Sequence, residues 1–201
     1  MNTPTDKTIL LTGFEPFGKH EINPTELIVR ELDGEVIGGC KIKGLVLPVV
    51  FGDAGDILIK AIKKVNPGVV LCLGLAADRM EISIERLAVN LDDAEIPDNA
   101  GNQPVDQMID PDGPAAYWST LPIKEIAAAL KMQNIPASVS MSAGTFVCNH
   151  VYYKLMLFLA DRPKIKGGFV HFPLLIKDKE TDGGLNNVAR MIVDIILDRE
   201  K

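Results

Sequence analysis

Val69-Val-Leu-Cys-Leu73 is an unbroken apolar run between Asn66-Pro67-Gly68 and Gly74. A strand with one wet face alternates polar and apolar residues, whereas an uninterrupted run suits a strand covered on both faces. Immediately upstream, Ile57, Leu58, Ala61, Ile62 and Val65 fall on one face of a helix expected from Asp53 to the Asn-Pro-Gly stop. A helix feeding a doubly covered strand is the unit from which parallel α/β sheets are built.

The same alternation continues in both directions. Lys7–Thr12 reads as a strand ending at Gly13, and Asn23-Pro24-Thr25-Glu26 opens a helix that runs to Leu32. Lys41–Val50 holds another short strand, and Glu81–Asn90 reads as one of mixed polarity. After an aperiodic stretch from Leu91 to Leu121 come a helix at Ile123–Gln133, a strand at Ala137–Met141 and a helix at Val151–Asp161. Gly168–Phe172 is a strand of the buried type, and Leu185–Leu197 carries an apolar helical stripe. The expected fold is a single three-layer α/β/α domain over residues 1–201, with a largely parallel, twisted sheet.

Bulk properties exclude several functions. The net charge is −6 and no basic run occurs, so a nucleic-acid partner is not expected. Three cysteines (Cys40, Cys72 and Cys148) show no paired or metal-binding spacing. The first residues lack a basic-then-apolar leader and no apolar run reaches 18 residues. The chain therefore reads as cytoplasmic, away from membranes, with free thiols.

In open α/β sheets, sites gather beyond the carboxyl ends of the strands. Cys148 lies in Ser140-Met-Ser-Ala-Gly-Thr-Phe-Val-Cys-Asn149, a small, polar turn running into an apolar helix. A thiol there is either a buried small hydrophobe or a nucleophile whose thiolate is favoured by the helix N-terminus. His171, near the end of an apolar strand, is either a core histidine or a rigidly held base. Glu85 either faces solvent or orients an imidazole; Arg86, its strand neighbour, points to the opposite face. His20 is expected to be exposed, and His150, two residues from Cys148, to diverge from the thiol. Phe14 and Phe17, in Gly13-Phe-Glu-Pro-Phe-Gly18, are either core filler or the walls of a flat apolar slot.

Taken together, these stretches resemble the pyrrolidone-carboxylate peptidase (pyroglutamyl peptidase I) family of cysteine peptidases over nearly the whole chain. Gly74-Leu-Ala-Ala-Asp-Arg-Met-Glu-Ile-Ser-Ile-Glu-Arg-Leu-Ala-Val-Asn90 and the Ser140–Asn149 stretch look like the family's two active-site signatures. Ile96-Pro-Asp-Asn-Ala-Gly-Asn-Gln103 and Pro111-Asp-Gly-Pro-Ala-Ala-Tyr117 are similarly characteristic. The resemblance implies Cys148 as nucleophile, His171 as base and Glu85 as the orienting acid. It implies Phe14 and Phe17 around a lactam ring, with Asn23, Phe146 and Val147 also lining the pocket. It further implies removal of N-terminal pyroglutamate from peptides without metal or organic cofactor, in a cytoplasmic homotetramer. Two positions depart from the family's usual residues: Leu75 stands where Gln is common, and Glu95 where Arg is common. They sustain an alternative, a weakly active or inactive binder of pyroglutamyl or other lactam ligands. A nucleoside phosphorylase-like enzyme would need a phosphate-binding set of Arg and Gly, and the basic residues here are scattered.

Overall fold

A computed structural model describes residues 8–174 and 184–198; Lys7, expected to open the first strand, lies outside them. The elements run β1 (Thr8–Phe14), α1 (Pro24–Leu32), β2 (Val36–Ile37), β3 (Cys40–Leu47), α2 (Asp53–Val65), β4 (Val69–Leu75) and β5 (Ile82–Glu85). They continue as β6 (Leu87–Val89), β7 (Ala116–Trp118), α3 (Ile123–Met132), β8 (Ala137–Ser140), α4 (Val147–Leu159), β9 (Lys166–Phe172) and α5 (Gly184–Asp198).

Seven strands form one sheet in the order β2-β3-β1-β4-β9-β5-β8. β3, β1, β4 and β9 run parallel to one another, β2 is antiparallel to β3, and β5 turns antiparallel to β9 while pairing parallel with β8. The quoted apolar run is β4, at the centre, with every residue buried. Alternate side chains divide between two cores. Ile9, Leu11, Leu71 and Val170 pack with α1, α3 and α5, while Leu10, Val70, Cys72 and Phe169 pack with α2 and α4. This is the expected α/β arrangement, helices on both faces of a mostly parallel sheet. Among the described residues, no helix is long and apolar enough to cross a membrane.

Two differences from the sequence reading bear on the site. The strand expected over Glu81–Asn90 breaks at Arg86, where the N–H donates to Ser140 O and the carbonyl accepts from Ser119 N–H, both at 2.8 Å. There the chain leaves the main sheet; β6 then pairs with β7 in a separate two-stranded ribbon. The mixed polarity was the trace of two short strands in different surroundings. Helix α4 begins at Val147, four residues before the first residue of clear apolar periodicity. Its polar first turn is stabilised by tertiary partners that no local pattern reveals.

Candidate active site

Because β1, β4 and β9 are parallel, their carboxyl ends share one edge, and α4 brings its N-terminus to the same edge on the α2/α4 face. Gly74 of β4 is the register partner of His171, and on the other side His171 faces Ser83 of β5. Glu85, two residues beyond Ser83, projects to the same face as Ser83. Its Oε1 lies 2.8 Å from His171 Nδ1. Both side chains are almost wholly buried.

The hydrogen bonds determine the tautomer. Arg79 Nη1 donates to the same Glu85 Oε1 at 2.6 Å. A guanidinium can only donate, so this oxygen is an acceptor, and Nδ1 of His171 must carry a proton. In the neutral ring Nε2 is then the proton acceptor. Tyr152 adds a hydrogen bond from its hydroxyl to the Glu85 carbonyl, at 3.2 Å.

Cys148 sits in the first turn of α4. A β-carbon added at Gly74 would lie 2.9 Å from its Sγ and 2.7 Å from the Phe169 ring. Glycine is therefore needed in the strand to let the sulfur settle beside His171's position. The helix terminus is one of several influences on the sulfur. Burial, then the charge of Glu85 and the neighbouring Cys72, push the thiol up to about 12, with Arg79 opposing them. The raising influences oppose the thiolate-favouring pull of the helix N-terminus.

The start of α4 is anchored away from the cleft. Asn149 Oδ1 accepts from Val89 N–H at 3.0 Å, and its Nδ2 donates to the Val89 and Leu91 carbonyls at 2.9 Å. The helix cap is Phe146, whose side chain provides no capping hydrogen bond. The first N–H groups of an α-helix have no partner within the helix. Those of Val147 and Cys148, in the first turn of α4, are among them.

Cys148 and His171 open into a cleft of about 690 Å³, also lined by Phe17, Phe146, Arg79 and Leu75. The Phe17 and Phe146 rings lie 5.9 Å apart, and Phe51 meets Phe146 edge-on at 5.4 Å. Phe17, from the expected pair, stands at the cleft. Phe14 does not: it is only 2% exposed and packs against Phe169 with ring centroids 6.4 Å apart. As the last residue of β1 it faces the α2/α4 core, whereas Phe17 rides on the loop beyond. Asn23 is likewise withdrawn. Its Oδ1 accepts from both Thr25 N–H (3.1 Å) and Thr25 Oγ1 (2.8 Å), and its Nδ2 donates to Glu15 O, making it the cap of α1. Val147 is fully buried and does not line the cleft, between Phe146 and Cys148, which do. His20 is half-buried beside Phe17 and also lines the cleft. His150 points away from the thiol, as expected, into a pair with Asp92 at 2.7 Å.

Comparison with known proteins places this geometry. Residues 7–199 match the family model described as pyroglutamyl peptidase. The chain belongs to the pyroglutamyl peptidase family. It is 50% identical over 183 residues to the pyrrolidone-carboxylate peptidase of Escherichia fergusonii, covering 91% of this chain and 86% of that one. The Bacillus licheniformis pyrrolidone-carboxylate peptidase is 52% identical over 171 residues, 84% of this chain and 79% of its own. Among solved structures, pyroglutamyl peptidase I of Bacillus amyloliquefaciens is 41% identical with a TM-score of 0.88, over 94% of this chain and 96% of that one. A mutant pyrrolidone carboxyl peptidase from Pyrococcus furiosus is also 41% identical, with a TM-score of 0.89, over 96% of this chain and all of that one. Pyroglutamyl peptidases of this family are thiol-dependent hydrolases, cysteine peptidases that remove an N-terminal pyroglutamyl residue. Membership supports the peptidase reading and not the alternative of an inactive binder.

The two departures from the family's usual residues both lie at the cleft. Leu75 ends β4, nearly buried, and adds apolar wall; Glu95 is exposed on the rim. Sequence reasoning missed Arg79 and Asn149. Arg79 and Glu85 are six residues apart across the β4–β5 turn, and no periodicity relates them. Among the described residues no group of three or more His, Cys, Asp or Glu is placed to hold a metal ion.

Proposed function

We propose that Cys148, His171 and Glu85 carry the family's reaction here, releasing pyroglutamate from peptide N-termini through a thioester. The observation that supports this most is the Glu85–His171 hydrogen bond, which fixes the ring with a basic Nε2 in the cleft that holds Cys148. Nε2 takes the thiol proton as sulfur attacks the pyroglutamyl carbonyl carbon. The oxyanion is met by the N–H groups of Cys148 and Val147 at the start of α4. The imidazolium returns its proton to the departing amine, the C–N bond breaks, and the shortened peptide leaves. Water then gives a proton to Nε2 and its oxygen to the thioester carbon. The thiolate departs, recovers that proton, and pyroglutamate is free. No redox change or cofactor enters this cycle.

A pyroglutamyl terminus has no ammonium group, so a carboxylate that grips ordinary N-termini gains nothing from it. Phe17 and Phe146 suit the faces of the neutral ring, with backbone donors and acceptors near Val147 meeting its amide. In this reading Phe14 and Asn23 act from behind, by holding the loop that presents Phe17. A ligand missing one of the lactam's hydrogen-bonding groups strands its buried partner, a mismatch that can cost about 10⁴-fold. We further infer one peptidase domain over residues 1–201, working as a cytoplasmic homotetramer without nucleic-acid or membrane partners; sedimentation and cell fractionation test the assembly and location.

Hydrolysis of a pyroglutamyl-amide beside a prolyl-amide tests the chemistry. Wild type should cleave the first and spare the second, Cys148→Ser should lose about 10⁴-fold or more, and iodoacetamide should abolish turnover. Full activity in Cys148→Ser would overturn the assignment.

A further inference from the structure

Arg79 is tied to two parts of the site at once. From the turn between β4 and β5, its Nη1 donates to Glu85 Oε1 at 2.6 Å and its Nη2 donates to the Ser142 carbonyl at 3.1 Å. Ser142 belongs to the loop that leads into α4 and Cys148. One guanidinium therefore joins the strand that carries the acid to the segment that presents the sulfur. Its position is partly open, with 28% of the side chain exposed, while Glu85 is 0% exposed. Glu85 needs such a partner. Its Oε2 is buried with no hydrogen bond among the described residues, so the whole demand of the carboxylate falls on Oε1, which Arg79 and His171 share. A buried carboxylate without a cation tends to take up a proton or draw one from its neighbour.

Resting on the functional reading above, we propose that Arg79 is a positioning residue of the peptidase. It holds Glu85 as an ionised acceptor aimed at His171 Nδ1 and fixes the Ser142 loop so that Cys148 enters α4 in register with the imidazole. It touches neither sulfur nor substrate in this role and acts through Glu85 and the loop. The sharing of one oxygen is central. The cation weakens the carboxylate's pull on the Nδ1 proton, so the ring is steered without being locked as imidazolium and Nε2 stays free to accept the thiol proton. The charged and titratable groups around this carboxylate are Arg79 from the β4–β5 turn, His171 from β9, Cys148 and Tyr152 from α4, and Cys72 from β4. Arg79 is the one cation in that set whose charge does not change over the working range. Arg86, adjacent to Glu85 in sequence, is held by its backbone N–H and carbonyl at the junction between the two sheets and makes no ion pair with Glu85 among the described residues.

The test compares wild type, Arg79→Gln and Arg79→Lys by the pH dependence of kcat and kcat/KM on a pyroglutamyl-amide, with the rate of Cys148 alkylation by iodoacetamide as a substrate-free readout. Arg79→Gln should lower kcat by about 10²-fold, the scale of a small misplacement of reacting groups, with KM changing far less. The acid limb of kcat/KM and the pH dependence of alkylation should both move to higher pH by about 1 unit, since an unshared carboxylate attracts protons more strongly. Arg79→Lys should restore the limb but only part of kcat, because one ammonium supplies the charge without spanning both acceptors. Unmoved limbs in Arg79→Gln, whether kcat is kept or falls only with the melting temperature, would overturn the proposal, as would a limb that Lys fails to restore. Cys148→Ser in the same assay keeps the two questions apart. Its loss of turnover sustains the peptidase reading even if Arg79 proves dispensable, and its retention would defeat both.

Discussion

Among the described residues, two histidine–carboxylate pairs of nearly equal geometry lie on the same face of the sheet. His171 Nδ1 meets Glu85 at 2.8 Å, and His150 Nδ1 meets Asp92 at 2.7 Å. Each acid leaves its second oxygen buried without a hydrogen bond among the described residues. The pairs differ at the far nitrogen. His150 Nε2 accepts the Gly52 N–H at 3.3 Å, joining α4 to the start of α2, with Phe51 edge-on to the ring at 5.8 Å. His171 Nε2 carries no hydrogen bond of that kind among the described residues and belongs to a ring lining the cleft with Cys148. A histidine–acid pair is thus not in itself a catalytic signature. The use of Nε2 separates a structural clasp from a base.

Replacing each ring should separate them most sharply. His171→Ala is expected to reduce kcat/KM by about 10⁴-fold or more with a modest change in melting temperature. His150→Ala should cost about 1–3 kcal/mol of stability, through the stranded Asp92 and Gly52 groups, and leave kcat within a few-fold. Comparable kinetic losses in both would erase the distinction, and denaturant melts beside steady-state assays decide it. The same contrast of cleft against core applies to two phenylalanines three residues apart. Phe14→Ala should destabilise by about 3–5 kcal/mol, as for a buried aromatic. Phe17→Ala should instead raise KM for the pyroglutamyl-amide by about tenfold or more, the worth of lost apolar contact with the ring. A Phe17 variant that melts early with unchanged KM would return this ring to the core.

The smallest effect concerns the thiols. Cys72 is wholly buried and its thiol is pushed up to about 12 by burial, against an ordinary value of 9.0. Below pH 9 it is protonated whether folded or unfolded, and its contribution to stability is fully present. Between pH 9 and 12 only the unfolded chain ionises, so stability drains as pH rises, by about 2 kcal/mol near pH 10.5. Cys72→Ala should flatten that part of the alkaline melting profile, and Cys148→Ala should flatten it similarly because its thiol is raised for the same leading reason. An identical alkaline slope in wild type and both variants would rule this out.

Much of the fold was legible because burial writes itself into local periodicity. The apolar run of β4, the stripes of α2 and α5, and the cap and proline that open α1 all report contacts that each segment must satisfy. The split of the Glu81–Asn90 stretch was not legible, because the carbonyl and N–H of Arg86 go to Ser119 and Ser140, more than thirty residues away in sequence. The early start of α4 was hidden for a similar reason: Asn149 and His150 look like turn residues until β6 and Asp92 supply their partners.

Residue chemistry and signature order are local properties, so the α/β alternation, the doubly covered strand and the residues Cys148, His171 and Glu85 could be read from the chain alone. Only the tertiary structure decided that Phe17 and not Phe14 meets the cleft, that Asn23 is a cap, and that Arg79 shares the acid with His171. Those outcomes depend on which way a side chain faces once strands distant in sequence lie side by side, and on which buried polar atom is left in need of a partner.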